Sequence, residues 1–240
     1  MAPLVKELES RTEIQSICCI TAQHRQMLDD VLGLFAITPD YDLDIMEDRQ
    51  SLYTITSKCL LGLEQVFSRE KPDLVLVHGD TSTTFSGALA AFYQKIAVGH
   101  VEAGLRTWDR YSPFPEEMNR KLTGQIATLH FAPTPRNRDN LAKEGITDGV
   151  FVMGNTVVDA IHMTVKPDFE FRDEQLKTLD FENNRVVLVT AHRRENYGAD
   201  GEHLPRHCRA ERSISGCTLR LSGAPQPVCP RDCGEIPRRQ

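Results

Sequence analysis

The sequence predicts an α/β fold built on a doubly wound parallel sheet. Three observations carry this. Short apolar runs alternate with amphipathic segments of helical period along most of the chain. One run, Asp73 to His78, is continuously apolar, the pattern of a strand buried on both faces. Polar groups recur where these runs stop (Gln23 and His24, Gly79 to Thr81, Glu102), and in such sheets the ligand crevice lies at the C-terminal edge of the strands.

Taken in order, Pro3 to Arg11 has helical spacing in Leu4, Val5 and Leu8, and Ile14 to Thr21 reads as a short strand. Met27, Leu28, Val31, Leu32 and Phe35 predict a helix. A polar stretch from Thr38 to Gln50 leads to a longer helix through Leu52, Ile55, Leu60, Leu63 and Phe67. The strand ending at His78 runs through Gly79 to Thr84 into a helix marked by Phe85, Leu89 and Phe92, whose alanines permit close packing.

The next strand, Ile96 to Val101, enters the most polar loop of the chain, with Glu102, Arg106, Asp109, Arg110, Glu116, Glu117 and Arg120 close together. Pro115 sits where a helix would start, and the two glutamates after it suit the positive end of a helix dipole. That helix continues through Met118, Leu122 and Ile126. Leu129 to Pro133 is a strand, Pro135 to Glu144 a helix, and Val150 to Met153 a strand. Gly154, Asn155 and Thr156 cap a helix carrying Val157, Val158 and Ile161.

The expected organisation is a first lobe over 1–166, a charged, aperiodic linker over 167–184, and the start of a second lobe over 185–200. Val186 to Thr190 is the second lobe's first strand, and a polar cluster from His192 to Asn196 follows it. Residues 201–240 hold five of the thirteen prolines and seven arginines but no lysine. They are expected to be disordered.

Composition narrows the function. The 240 residues are 40% hydrophobic, ordinary for a soluble protein, and the net charge of −6 argues against a nucleic-acid footprint. No apolar run approaches the ~18 residues of a membrane span, and the first residues lack the apolar stretch of a signal peptide. Of seven cysteines, Cys18, Cys19 and Cys59 lie in apolar segments and are expected to be buried thiols. No CxxC pair or clustered His/Asp spacing suggests a metal, and the chain is expected to be cytoplasmic.

The chemistry on offer is proton transfer. Asp80, Glu102, Glu116 and His192 each follow a predicted strand or start a helix on the same edge, and carboxylates in a cleft can trade protons when neighbours separate their affinities. Hydroxyls in Gly79 to Thr84 can hold an anion at a helix N-terminus, with helix capping by Asp80 as the alternative. No Walker, GxGxxG or GxSxG motif is present. His78, His100 and His130, in or beside apolar strands, are expected to be structural.

Seven separated motifs, MAPLVKEL, TAQHRQMLD, VLVHGDTSTT, GHVEAGLRT, PFPEEMNR, VMGNTVVDA and VTAHRREN, together resemble the bacterial non-hydrolysing UDP-N-acetylglucosamine 2-epimerases over roughly residues 1–198. The resemblance implies two Rossmann-like lobes in a GT-B-like arrangement, a homodimer, and no cofactor or metal. It implies interconversion of UDP-N-acetylglucosamine and UDP-N-acetylmannosamine, by elimination of UDP to a glycal and its re-addition. By motif, Asp80, Glu102 and Glu116 resemble the acid/base carboxylates, His192 a contact to the leaving diphosphate, and Arg120 a substrate contact. Gln23, His24, Gln26, Arg49 and Gln50 resemble the site of a second, activating UDP-N-acetylglucosamine.

The chain departs from the family pattern at both ends. The family has a strand and a glycine-rich turn before the helix that opens here at Met1, and a full second lobe. The tail has a reading of its own. With the frame shifted by one base, the codons of Glu202 to His207 can encode Asn-Ile-Cys-Arg-Ala-Ile, and those of Gly223 to Pro227 Val-His-Pro-Asn-Pro. Both resemble the family's next stretches, so residues from about 199 are expected to be an out-of-frame second lobe. Little or no turnover is expected of the chain alone. A glycosyltransferase of the same architecture and a non-catalytic nucleotide-sugar binder are the alternatives.

Overall fold

The computed structural model describes residues 1–22, 25–47, 50–171, 174–183, 185–190 and 217–222. The chain divides into two compact units, Met1–Pro167 and Asp168–Gln240.

The first unit alternates helix and strand: α1 (Ala2–Glu9), β1 (Cys19–Ile20), α2 (Arg25–Phe35), β2 (Tyr41–Asp42), α3 (Leu52–Glu70), β3 (Leu74–His78) and α4 (Ser82–Tyr93). Then come β4 (Ala97–Val101), α5 (Glu116–Ile126), β5 (Leu129–Ala132), α6 (Pro135–Lys143), β6 (Val150–Val152) and α7 (Thr156–Thr164). Strands β3, β4, β5 and β6 form one parallel sheet in that order, and β1 and β2 form a second parallel pair.

The core lies where α3 and α4 cover β3 and β4. Leu63, Val66 and Phe67 of α3 meet Ala88, Ala90 and Ala91 of α4 over Val77 and Val98. The small residues of α4 allow this approach. Gly87 faces Val77, where an added Cβ would come within 3.2 Å of its side chain. Hydroxyls start the helices: Ser51 caps α3, Thr81 caps α4 and Thr134 caps α6, each accepting a backbone N–H three residues on.

Three expectations change here. The strand expected over Ile14–Thr21 pairs only at Cys19 and Ile20, because its partner β2 is itself two residues long inside a polar stretch. Strand β3, read as buried on both faces, has only Val77 fully buried, and Leu74 is 39% exposed. The reason is its place at the edge of the four-stranded sheet, with a described ladder to β4 alone. Of the three cysteines expected to be buried, only Cys59 is; Cys18 and Cys19 are half-buried. Burial, with Cys18 and Asp42 adding to it, pushes the Cys19 thiol up to about 12.

In the second unit a short helix, α8 (Glu174–Lys177), lies within the stretch read as linker. Phe171 there meets Phe169 edge-on and Phe181 in a stack, with ring centroids 5.4 and 5.5 Å apart. Strand β7 (Arg185–Thr190) pairs in parallel with β8 (Cys217–Ser222), register Arg185 to Cys217. The sequence reading found no strand periodicity in 201–240 and expected disorder; Cys217 to Ser222 nonetheless alternates apolar and polar residues with the period of a strand, a signal that the reading missed amid the prolines and arginines around it. The rest of 201–240 lies outside the described residues.

Candidate functional site

The C-terminal ends of β3 and β4 lie side by side, with His78 in register with Val101, so the residues that follow them meet. After β3 the chain turns at Gly79 (φ 73°) and presents Asp80. Three contacts hold this turn. His100 Nε2 donates to the Gly79 carbonyl at 2.7 Å, Thr84 Oγ1 donates to the His78 carbonyl at 2.5 Å, and Asn119 Nδ2 donates to the Asp80 carbonyl at 2.9 Å. The Asp80 carboxylate itself pairs with Arg120.

Burial pushes His100 down to about 4, against its bond to the Gly79 carbonyl. The ring is therefore neutral at pH 7, with its proton on the nitrogen that faces Gly79. His130, its register partner on β5, is held neutral by burial in the same way, despite its bond to the Ala127 carbonyl. Both histidines thus serve the scaffold, as expected.

After β4, Glu102 adopts φ 64°, a left-handed conformation unusual for a residue with a side chain. Its carboxylate accepts from Asn155 Nδ2 at 3.2 Å and lies 3.8 Å from His78 Nε2. Burial chiefly pushes His78 down, so this contact joins a carboxylate to a neutral ring at pH 7.

Helix α5 supplies the rest. Glu116, Asn119 and Arg120 fall at i, i+3 and i+4 and share one face. Glu116 Oε2 is buried with no hydrogen-bond partner in the structure. Glu117, one residue on, points into the protein. It is fully buried and accepts the N–H groups of Thr107 and Trp108 at 3.0 and 3.1 Å, with Arg120 3.5 Å away. It thereby anchors the loop between β4 and α5. In that loop the ammonium groups of Lys121 and Lys143 lie over the Trp108 ring, 5.2 and 5.6 Å from its centre. Arg106 is spent on a buried two-pronged pair with Glu144, at 2.9 and 2.6 Å.

The structure thus brings Asp80, Glu102 and Glu116 to one edge, with Arg120 on Asp80. It corrects the capping alternative, since the α4 cap is Thr81 and not Asp80. The hydroxyls of Thr81 and Thr84 face each other at 3.1 Å, and Thr83 faces Thr21 at 3.2 Å. Gln50 donates its side-chain amide to the Ile45 carbonyl, and Gln26 lies in α2. Gln23, His24, Arg49 and His192 lie outside the described residues.

Sequence reasoning missed Asn119, Glu117 and Asn155 as partners. The only signal for Glu117 was its i+3 and i+4 spacing to Arg120 and Lys121. An open groove of about 600 Å³ between β2 and α3, lined by Asp42, Asp44, Lys58 and Arg69, shares no residue with the carboxylate edge. Its lining mixes these charges with apolar side chains such as Leu43, Leu61 and Val66 and brings no buried or unpartnered carboxylate to the groove, so the carboxylate edge remains the candidate site. Among the described residues no group of three His, Cys, Asp or Glu side chains is placed to hold a metal, and no helix is long and apolar enough to cross a membrane.

A parallel sheet with helices between its strands and polar groups beyond its strand ends defines an α/β protein of Rossmann type. The comparisons agree and are more specific: residues 6–216 match the model of the UDP-N-acetylglucosamine 2-epimerase family, to which the chain belongs. The match extends past residue 198, where the recognisable motifs stop.

The UDP-N-acetylglucosamine 2-epimerase of Bacillus subtilis is 56% identical over 206 residues, covering 85% of this chain and 53% of that protein. The Salmonella typhimurium enzyme of the same name is 51% identical over 227 residues, covering 92% and 60%. Among solved structures, UDP-GlcNAc 2-epimerase from Neisseria meningitidis bound to UDP-GlcNAc superposes with a TM-score of 0.79 at 46% identity, covering 92% of this chain and 62% of that one. The chain therefore spans little more than half the length of these relatives.

Proposed function

We propose that this chain carries the proton-transfer carboxylates of a non-hydrolysing UDP-N-acetylglucosamine 2-epimerase. In the reaction, the C2 proton leaves to a carboxylate while the C1–O bond to UDP breaks, forming the C1=C2 bond of a glycal. UDP then re-adds at C1 and a proton returns to C2 from the other face. This needs one base, one acid and stabilisation of the leaving diphosphate. Asp80, Glu102 and Glu116 are the acid/base set, Arg120 the substrate-side cation, and His192 the contact to the diphosphate.

The observation that carries this reading is the unlike setting of the three carboxylates on one edge. Asp80 is ion-paired, Glu102 is held by an amide, and Glu116 keeps a buried oxygen without a partner. Groups that differ this way divide the acid and base roles. The same reading takes Gln23, His24, Gln26, Arg49 and Gln50 as the site of an activating UDP-N-acetylglucosamine. It takes the intact protein as a cytoplasmic homodimer that feeds polysaccharide synthesis.

The test incubates the purified chain with UDP-N-acetylglucosamine in deuterated water and follows C2 by proton NMR, with the Bacillus subtilis relative as control. Deuterium at C2 together with the manno product establishes the reaction. Saturation transfer from protein to sugar is read in the same samples. Binding without exchange identifies a site without turnover. Neither binding nor exchange, beside an active control, overturns the reading for this chain.

A further inference from the structure

Asn155 serves two elements at once. Its Oδ1 accepts the N–H of Val157 at 2.9 Å and so caps α7. Its Nδ2 donates to Glu102 Oε1 at 3.2 Å, across 53 positions of sequence. A backbone N–H can only donate, so the acceptor end of the amide is committed to the helix. The donor end must then face Glu102, and the orientation of the amide follows from the bonds themselves.

The surroundings of Glu102 are built to accept this. Its backbone is left-handed, which aims the side chain back over the end of β3. Gly79 lies directly beside it: a Cβ built there would sit in ordinary contact, 3.5 Å from Glu102 Oε2. With Oε1 tied to Asn155, Oε2 turns toward Gly79 and His78. The carboxylate is partly exposed, 27% by side chain; the His78 ring and the Met1 ammonium lie near it, and the directional hydrogen bond to it among the described residues comes from Asn155.

We propose that Asn155 is a positioning residue: it caps α7 and, through the other end of the same amide, fixes the orientation of the Glu102 carboxylate for proton exchange. The proton-exchange role rests on the function proposed above; the fixing of the side chain does not. Only asparagine can do both. Aspartate caps a helix equally well but opposes one carboxylate with another. Serine caps but is too short to reach Glu102 and brings no amide. Glutamine brings the amide but is a poor cap.

The test reads the Glu102 rotamer directly. Three-bond couplings of backbone nitrogen and carbonyl carbon to Glu102 Cγ are measured in the labelled 240-residue chain and in Asn155→Ser and Asn155→Asp. The native chain is expected to show one large and one small coupling, the mark of a single staggered rotamer. In both variants the two couplings converge as the side chain averages over rotamers. The melting temperature stays within a few degrees, because serine and aspartate keep the cap. Couplings of equal, intermediate size already in the native chain, or native couplings retained in both variants, overturn the proposal. Failure of the proposed function is a separate result: no sugar binding and no C2 exchange, whatever the couplings.

Discussion

Arg120 of α5 reaches Asp80, forty residues earlier, and pairs with its carboxylate while the neighbouring Asn119 holds the Asp80 carbonyl. One turn of helix therefore fixes both the backbone and the side chain of the residue presented by the turn after β3. The pair is mostly shielded, with the Arg120 side chain 13% exposed and that of Asp80 28%. Arg120→Ala is expected to cost about 1–2 kcal/mol, between the values for exposed and buried pairs. Arg120→Lys should recover only part of this, because an ammonium cannot serve Asp80 and Glu117 with a fixed fork. Urea unfolding of the three proteins checks the order.

Glu117 gives a sharper local prediction. Its carboxylate is fully buried and bonded to two successive backbone N–H groups, with Arg120 3.5 Å and Lys121 3.8 Å from the same oxygens. Glu117→Gln keeps the shape, but only one end of the amide can accept, so one N–H loses its partner. The expected cost is about 2–3 kcal/mol, from a charge-assisted bond lost and a buried donor left unmade. The chain has one tryptophan, and it is Trp108, whose N–H is one of the two. Its fluorescence should therefore shift in Glu117→Gln at native temperature, before any global unfolding. Unchanged emission with unchanged stability would remove Glu117 as the anchor of the loop.

The helices α3 and α4 were legible in the sequence from long runs at helical period, and strand β4 from the apolar Ile96, Val98 and Val101 just before a polar loop. Strand β2 was not, since Tyr41 and Asp42 pair with β1 over only two residues and leave no period to read. The carboxylates were legible for a topological reason: groups just beyond parallel strands must line the same edge. Their partners were hidden because each acts across the fold, Asn119 on Asp80 and Asn155 on Glu102. Glu116 and Glu117 show the limit most plainly. They are adjacent and chemically identical, and only the phase of α5, set where Pro115 starts it, decides which one faces inward.

Gly104 tests how tightly the β4 edge is assembled. It has φ 86°, and a Cβ placed on it would sit 2.2 Å from the backbone carbonyl oxygen of Asn137. The approach is reinforced by Asn140, whose side-chain amide donates to the Gly104 carbonyl at 3.0 Å. Both partners lie on α6, so an added methyl group must push that helix away from the loop. Gly104→Ala is expected to cost at least ~3 kcal/mol, from overpacking against backbone together with an unfavourable φ. A thermal melt that moves by less than a few degrees would show that α6 can give way.

The buried histidines predict an acid limit to stability, centred on the turn that presents Asp80. His100 is lowered from 6.5 to about 4 by burial, so between those pH values the unfolded chain binds a proton that the folded one refuses. Stability from this group is fully present above about pH 6.5 and is lost as the pH falls toward 4, by about 3 kcal/mol over the whole interval. His130 and His78 are shifted in the same direction by their own burial and add to the slope. In His100→Gln a side-chain amide can still donate to the Gly79 carbonyl but does not titrate. The variant should therefore keep most of its stability at pH 7 and lose less of it on acidification, without becoming flat. Urea midpoints measured from pH 7 to pH 4.5 decide the matter: parallel curves for the two proteins would mean that His100 takes up its proton without cost, and that the Gly79 turn is held by Thr84 and Asn119 alone.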